Sequence, residues 1–387
     1  MEQRPFAARM RRLYNRTGFG ILAETAAVAV VANALTLVAF IGVMAYLWPS
    51  LREIVRQAEF SLTSLLMGDG VTDLMNQMVS TGAIGWILAA MVGGTGAGMV
   101  VGMALIKRIT GKGEPIEQRR LGVKRFLTLI PLAFALWGIG VVLGNYSSFF
   151  IESRDLMEMF LDKAGNGGIL FYYVYAMIGA PLLEELLYRK LLLDRLHVYG
   201  QWTAAAVSAL LFGLAHGNSG QFFLALLLGL LFAAVYMRTG HIRYTVILHM
   251  LINSVVTIPQ VLALYGVSAQ TAYLLLIHAM MLPGLVMLLF KRKEIRPLLN
   301  TTSELEPNAD AARASFYTPG MKVARIVLLV ALILTDGTQL ILSATLYGEP
   351  LSLIGVGSTV LAALTVLWLP KLFLKKKAVS PETAKTA

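Results

Sequence analysis

The chain has 387 residues, 57% of them hydrophobic and 14% charged, with a formal net charge of +11. A soluble domain carries about 25% charged residues, and a chain this apolar cannot cover its own surface in water. A soluble enzyme, a nucleic-acid-binding protein and a disordered tail are therefore excluded, and with no cysteine there are no disulfides, thiolate metal sites or cysteine nucleophiles.

Uncharged apolar runs long enough to cross roughly 30 Å of hydrocarbon as helices recur along the sequence, without the residue-by-residue alternation of an outer-membrane barrel. The expected fold is an all-α polytopic membrane protein with about ten transmembrane helices, the catalytic ones in the middle of the chain. The first span, 26–48, follows a segment bearing Arg4, Arg9, Arg11, Arg12 and Arg16. It is too long for the roughly 7–15-residue core of a cleaved signal. Glu24, at its edge, is expected at the membrane interface. The second span, 82–106, carries Gly94, Gly98 and Gly102, a spacing that admits close backbone approach of another helix. That helix is expected within the chain, with homodimerisation as the sharper alternative.

Spans follow at 126–145, 168–187, 202–216, 221–237, 244–264 and 271–290, and a final pair at 325–346 and 351–370. The long outer loops, 49–81 and 146–167, read as amphipathic interfacial segments. This gives four regions: N-terminal helices and loops over 1–167, a catalytic core over 168–290, a linker over 291–324, and a C-terminal hairpin with a basic tail over 325–387. Orientation follows from loop charge. With both termini cytoplasmic, 29 of the 33 Lys and Arg fall on the cytoplasmic side, and Arg52, Arg56, Arg154 and Lys163 remain opposite. The expectation is a multi-pass protein of the cell membrane.

An ionisable group inside a span costs several kcal/mol, so each one retained points to function. His278 and Asp336 stand alone in sequence and read as packing residues. The fourth span is different, because it ends in Glu184-Glu185-Leu186-Leu187-Tyr188-Arg189. Adjacent carboxylates repel, and one needs a cation nearby to stay ionised. Arg189 lies four residues after Glu185, the favourable acid-before-base spacing. Glu185 is therefore expected to be held by Arg189, while Glu184, about 100° around an α-helix, is free for proton chemistry. Downstream lie Phe212-x-x-x-His216 and His249-x-x-x-Asn253. His249 and Asn253 share one helix face and need polar partners, either interhelical hydrogen bonds or a reacting group.

Glu-Glu-x-x-x-Arg, Phe-x-x-x-His and His-x-x-x-Asn, in this order on separate apolar helices, resemble the CAAX-protease and bacteriocin-processing (CPBP, or Abi) family of intramembrane proteases. That family includes the type II CAAX prenyl endopeptidases, and the resemblance covers about residues 168–264. It implies an endopeptidase acting on a membrane protein or peptide within the lipid bilayer. By that analogy Glu184, helped by His216, activates water, His249 and Asn253 stabilise the oxyanion, and Glu185 and Arg189 support the site. Glu184, His216 and His249 could instead hold Zn²⁺ with an open fourth position. The metal-free reading is preferred, because Asn253 is a better hydrogen-bond donor than zinc ligand. These positions present a conflict of depth: Glu184 and His249 near the cytoplasmic face, His216 some 10–15 Å deeper at 1.5 Å per residue.

Three other readings are weaker. Gly217-Asn218-Ser219-Gly220 matches the Gly-x-Ser-Gly of rhomboid proteases but is also ordinary turn chemistry. His-Glu-x-x-His, the zincin signature, does not occur. A non-proteolytic scaffold or immunity protein would not need intact motifs, and a proton-coupled transporter commonly shows an internal repeat.

Overall fold

A computed structural model describes residues 3–57, 78–148, 166–197, 201–216, 219–263 and 269–290. The linker, the last two expected spans with Asp336, most of both outer loops, Gly217-Asn218 and the side chain of His278 lie outside the described residues.

Among the described residues the regular structure is helical throughout. The helices are α1 Gln3–Gln57, α2 Ala83–Thr110, α3 Val123–Ser148, α4 over 166–196, α5 Gln201–Leu214, α6 Ser219–Thr239, α7 Ile242–Ala263 and α8 Ala269–Phe290. Each of the first eight expected spans falls on one of them. Six are long and apolar enough to cross a membrane, and shorter apolar stretches lie in α5 and α8. The 55-residue α1 is roughly 80 Å long, so it continues well past its apolar stretch, Arg16–Pro49.

Helix α2 lies along α1 through its glycines. A Cβ at Gly98 would stand 2.6 Å from Cα of Val28, and one at Gly102 would stand 2.5 Å from Cγ of Glu24. Only glycine lets the two backbones meet this closely. The face formed by Gly94, Gly98 and Gly102 is thus filled by α1 of the same chain, and a homodimer through it would have to displace α1. Glu24 corrects the interfacial expectation: it is buried, 7% exposed, because the missing side chain of Gly102 makes room for it.

The larger core joins α3, α6, α7 and α8 through Leu132, Phe134, Leu231, Phe232, Leu248 and Ile277, among others. A second cluster packs Leu192 and Leu193 of α4 on Ala204 and Ala205 of α5, Tyr236 of α6 and Ile21 of α1. Between these groups runs α4, with Leu187 and Leu191 against Met99 and Ile106 of α2 and its other side against α7.

Helix α4 departs from expectation in two ways. It does not end at 187 but continues through Arg189, Lys190, Asp194 and Arg195 to Leu196, so 189–195 is helix rather than loop. It also contains two π-helical turns, Tyr175–Gly179 and Glu185–Leu191. Single π turns inside α-helices frequently mark functional sites. Pro181 accounts for the first. Having no N–H, it cannot close the usual bond to the carbonyl four residues back, and the N–H of Ala180 reaches Tyr175 instead.

Candidate active site

The extension of α4 places Glu184 about 18 Å from the helix end at Leu196, inside the apolar stretch Ile169–Leu196. Helix α5 returns antiparallel beside it, its Ser208 hydroxyl donating to the Tyr188 carbonyl (2.9 Å). At that register Glu184 and His216 differ in depth by about 6 Å. The 10–15 Å conflict therefore came from ending α4 too early.

Glu185 and Arg189 are both 0% exposed, with Nε 3.1 Å from Oε2. The two are not aligned for a hydrogen bond, and none of the three guanidinium nitrogens has a hydrogen-bond partner, so the contact is a bare ion pair. Aromatic faces complete the surroundings of the cation, with Phe212 at 4.6 Å and Phe232 at 5.5 Å. Such cation–π contacts strengthen when desolvated.

His249 enters from α7, buried between the carboxylates. Its Nδ1 lies 3.1 Å from Glu185 Oε1 and its Nε2 lies 3.6 Å from Glu184 Oε2. Glu185 thus joins Arg189 to His249, whereas Glu184 keeps 21% side-chain exposure. The expected contrast between a held and an accessible carboxylate is present in the geometry. A carboxylate only accepts, so Nδ1 carries the proton given to Glu185. A neutral ring then leaves Nε2 as an acceptor, and a doubly protonated one makes it a donor.

Asn253, one turn further along α7, donates from Nδ2 to the Ala176 carbonyl at 2.8 Å. This follows from the π turn. The N–H four residues after Ala176, that of Ala180, is turned to Tyr175, and the residue five after it is Pro181, which has none. The carbonyl is left without a helical donor, and Asn253 supplies one.

His216 sits just past α5, its Nδ1 donating to the Phe212 carbonyl at 2.8 Å. The Phe212 ring meets His216 edge-on at 5.0 Å and His249 at 5.6 Å. Phe212 therefore packs on both imidazoles and on Arg189, a role its place in Phe-x-x-x-His did not reveal. Among the described residues no three His, Asp or Glu side chains group as a metal site, so Glu184, His216 and His249 are not arranged as the zinc set considered from sequence.

Residues 166–255 match a family model described as "Type II CAAX prenyl endopeptidase Rce1-like". The chain is also 30% identical, over 92 residues, to "Putative membrane peptidase YdiL" of Bacillus subtilis, a stretch covering 24% of this chain and 37% of that protein. No solved structure matches. The family match spans α4 to most of α7 and contains every residue of the site just described, so likeness and geometry fall on the same helices. Over these residues the chain is similar to membrane peptidases.

Proposed function

We propose that this multi-pass protein is an intramembrane endopeptidase that hydrolyses a peptide bond of a membrane-associated protein or peptide by a glutamate-activated water. The observation that carries the reading is the pairing of unequal carboxylates about His249, one sealed with Arg189 and one accessible.

In the proposed reaction Glu184 takes a proton from water as its oxygen attacks the scissile carbonyl carbon. His216 assists from the turn after α5, with Nδ1–H given to Phe212 and Nε2 as the ring's acceptor. Negative charge develops on the carbonyl oxygen, where preorganised donors are most effective. His249 donates there from Nε2, with Nδ1–H held by Glu185, and the second N–H of Asn253 completes the pair. The C–N bond then breaks, and the proton held by Glu184 passes to the leaving amine. The balance of Lys and Arg supports placing both termini, and the α4 end at Leu196, on the cytoplasmic side.

The test is cleavage of a tagged membrane-anchored peptide by purified protein in detergent or vesicles. Time-dependent product that vanishes with Glu184→Gln is expected. Absence of product across a panel of anchored peptides, with folded protein, would favour a scaffold or transporter instead.

A further inference from the structure

The first π turn of α4 leaves the Ala176 carbonyl without a helical donor, and Asn253 supplies one from α7. The second π turn, Glu185–Leu191, strands a carbonyl in the same way. The Leu192 N–H is shared between the carbonyls of Leu187 and Arg189, five and three residues back, and is not given to Tyr188, four back. Ordinary α-helix resumes at Leu192, so the next N–H, that of Leu193, is directed four residues back, to Arg189. The change of spacing skips the Tyr188 carbonyl.

The missing donor comes from α5. The Ser208 hydroxyl gives its one hydrogen to the Tyr188 carbonyl at 2.9 Å, across 20 residues of sequence. A serine inside a helix can instead turn that hydrogen to its own carbonyl four residues back, here that of Ala204. Ser208 is 0% exposed, and Ala204, Ala205 and Phe212 are buried beside it, so the bond is enclosed by protein. Phe212, one turn on, meets the Tyr188 ring edge-on at 5.3 Å and the Arg189 cation at 4.6 Å, and His216 follows one turn later. Ser208, Phe212 and His216 thus form one stripe at four-residue spacing, and α4 is laid against it.

Each π turn is therefore fastened from a helix that leads to an imidazole. Asn253 sits four residues after His249 on α7, and Ser208 eight residues before His216 along α5. Glu184 and Glu185 lie between the two fastenings. We propose that Ser208 is a positioning residue for the reaction proposed above: by occupying the Tyr188 carbonyl it holds the second π turn open and so sets both carboxylates against His216 and His249. Without the hydroxyl that carbonyl is buried and unpaired, a costly state. The loss draws α4 toward α pitch, in which the Leu192 N–H takes the carbonyl and the turn bearing Glu185 and Arg189 shifts against His249. The effect on turnover rests on the endopeptidase reading, and the hold on the helix does not.

The experiment compares Ser208→Ala, Ser208→Thr, which keeps the hydroxyl, and Thr95→Val with the parent chain in nanodiscs. Thr95 is the control, because its hydroxyl bonds a carbonyl of its own helix, that of Met91 (2.9 Å). Hydrogen exchange over residues 185–196 is read by mass spectrometry, beside kcat and KM for a membrane-anchored peptide. Ser208→Ala should speed that exchange and lower kcat by about 10- to 10²-fold with KM little changed. Ser208→Thr should restore both, and Thr95→Val should alter neither. Unchanged exchange in Ser208→Ala, or equal losses in the Ala and Thr variants, would overturn the fastening. Faster exchange with normal kcat would overturn the positioning role and leave Ser208 a packing residue. A parent chain that cleaves no anchored peptide overturns the endopeptidase reading, and exchange alone then decides whether Ser208 holds the turn.

Discussion

Replacing each glutamate by glutamine separates their roles, because the change keeps size and removes charge. Glu184→Gln removes the proposed base from a partly exposed position and leaves the Glu185 carboxylate to answer Arg189 and His249. Turnover should fall by about 10²–10⁴ with Tm unchanged. Glu185→Gln leaves the Arg189 guanidinium, at 0% exposure, with aromatic faces and only the weaker pull of Glu184 as counter-charge. Breaking a buried pair from one side costs about 3–5 kcal/mol, which at about 2–4 °C per kcal/mol lowers Tm by roughly 6–20 °C. Glu185→Gln/Arg189→Gln should regain most of this, since the orphaned charge is gone and an amide oxygen still accepts the His249 Nδ1 proton. The assay is Tm from intrinsic tryptophan fluorescence in detergent, read beside cleavage rate. Near-normal turnover in Glu184→Gln, or a stable but inactive Glu185→Gln, would refute the division of roles.

Three further outcomes are expected. Gly98→Val, which sets a side chain against the Val28 backbone, should destabilise by about 1–3 kcal/mol; an unchanged Tm with an altered oligomeric state would show instead that this face packs between copies. Gly240→Ala combines a left-handed backbone with contact on the carbonyl oxygens of Ile116 and Glu117, costing at least about 1 kcal/mol, and should speed hydrogen exchange over residues 111–122; unchanged protection would show that this segment does not rest on the turn. Cleavage should persist in EDTA, with no stoichiometric zinc on elemental analysis, whereas loss restored by Zn²⁺ would make Glu184, His216 and His249 ligands.

The helical class and the helices beneath the first eight expected spans, six of them long and apolar enough to cross a membrane, were legible because apolar length alone signals them. Glu185 and Arg189 were legible as a pair because four residues is nearly one helical turn. The end of α4 was not. Its charges beyond that pair, Lys190, Asp194 and Arg195, read as a loop, yet inside the bundle they find partners. Lys190 pairs with Asp194 (2.8 Å), the Tyr236 hydroxyl donates to Asp194 (2.7 Å), and Arg195 reaches the Thr110 hydroxyl (2.6 Å). Glu24 was misplaced for a related reason: a span-by-span reading sees the carboxylate near a helix end but not the gap that Gly102 opens opposite. Asn253 was visible as needing a partner, but the carbonyl it meets exists only because Pro181 breaks the bonding pattern on another helix.

The wide turn at Glu185–Leu191 gives α4 a phase that residue count alone does not convey. Closing it to α pitch with its residue count unchanged would turn everything beyond it by about 100°, the turn of one α-helical residue. Asp194 and Arg195 would swing away from Tyr236 and Thr110, while Glu184 stayed where it is. A one-residue gap placed here when related chains are aligned is therefore neutral in phase where it removes the wide turn, and a rotation where it does not. A graft of this helix onto another scaffold must carry residues 185–196 as one unbroken cassette.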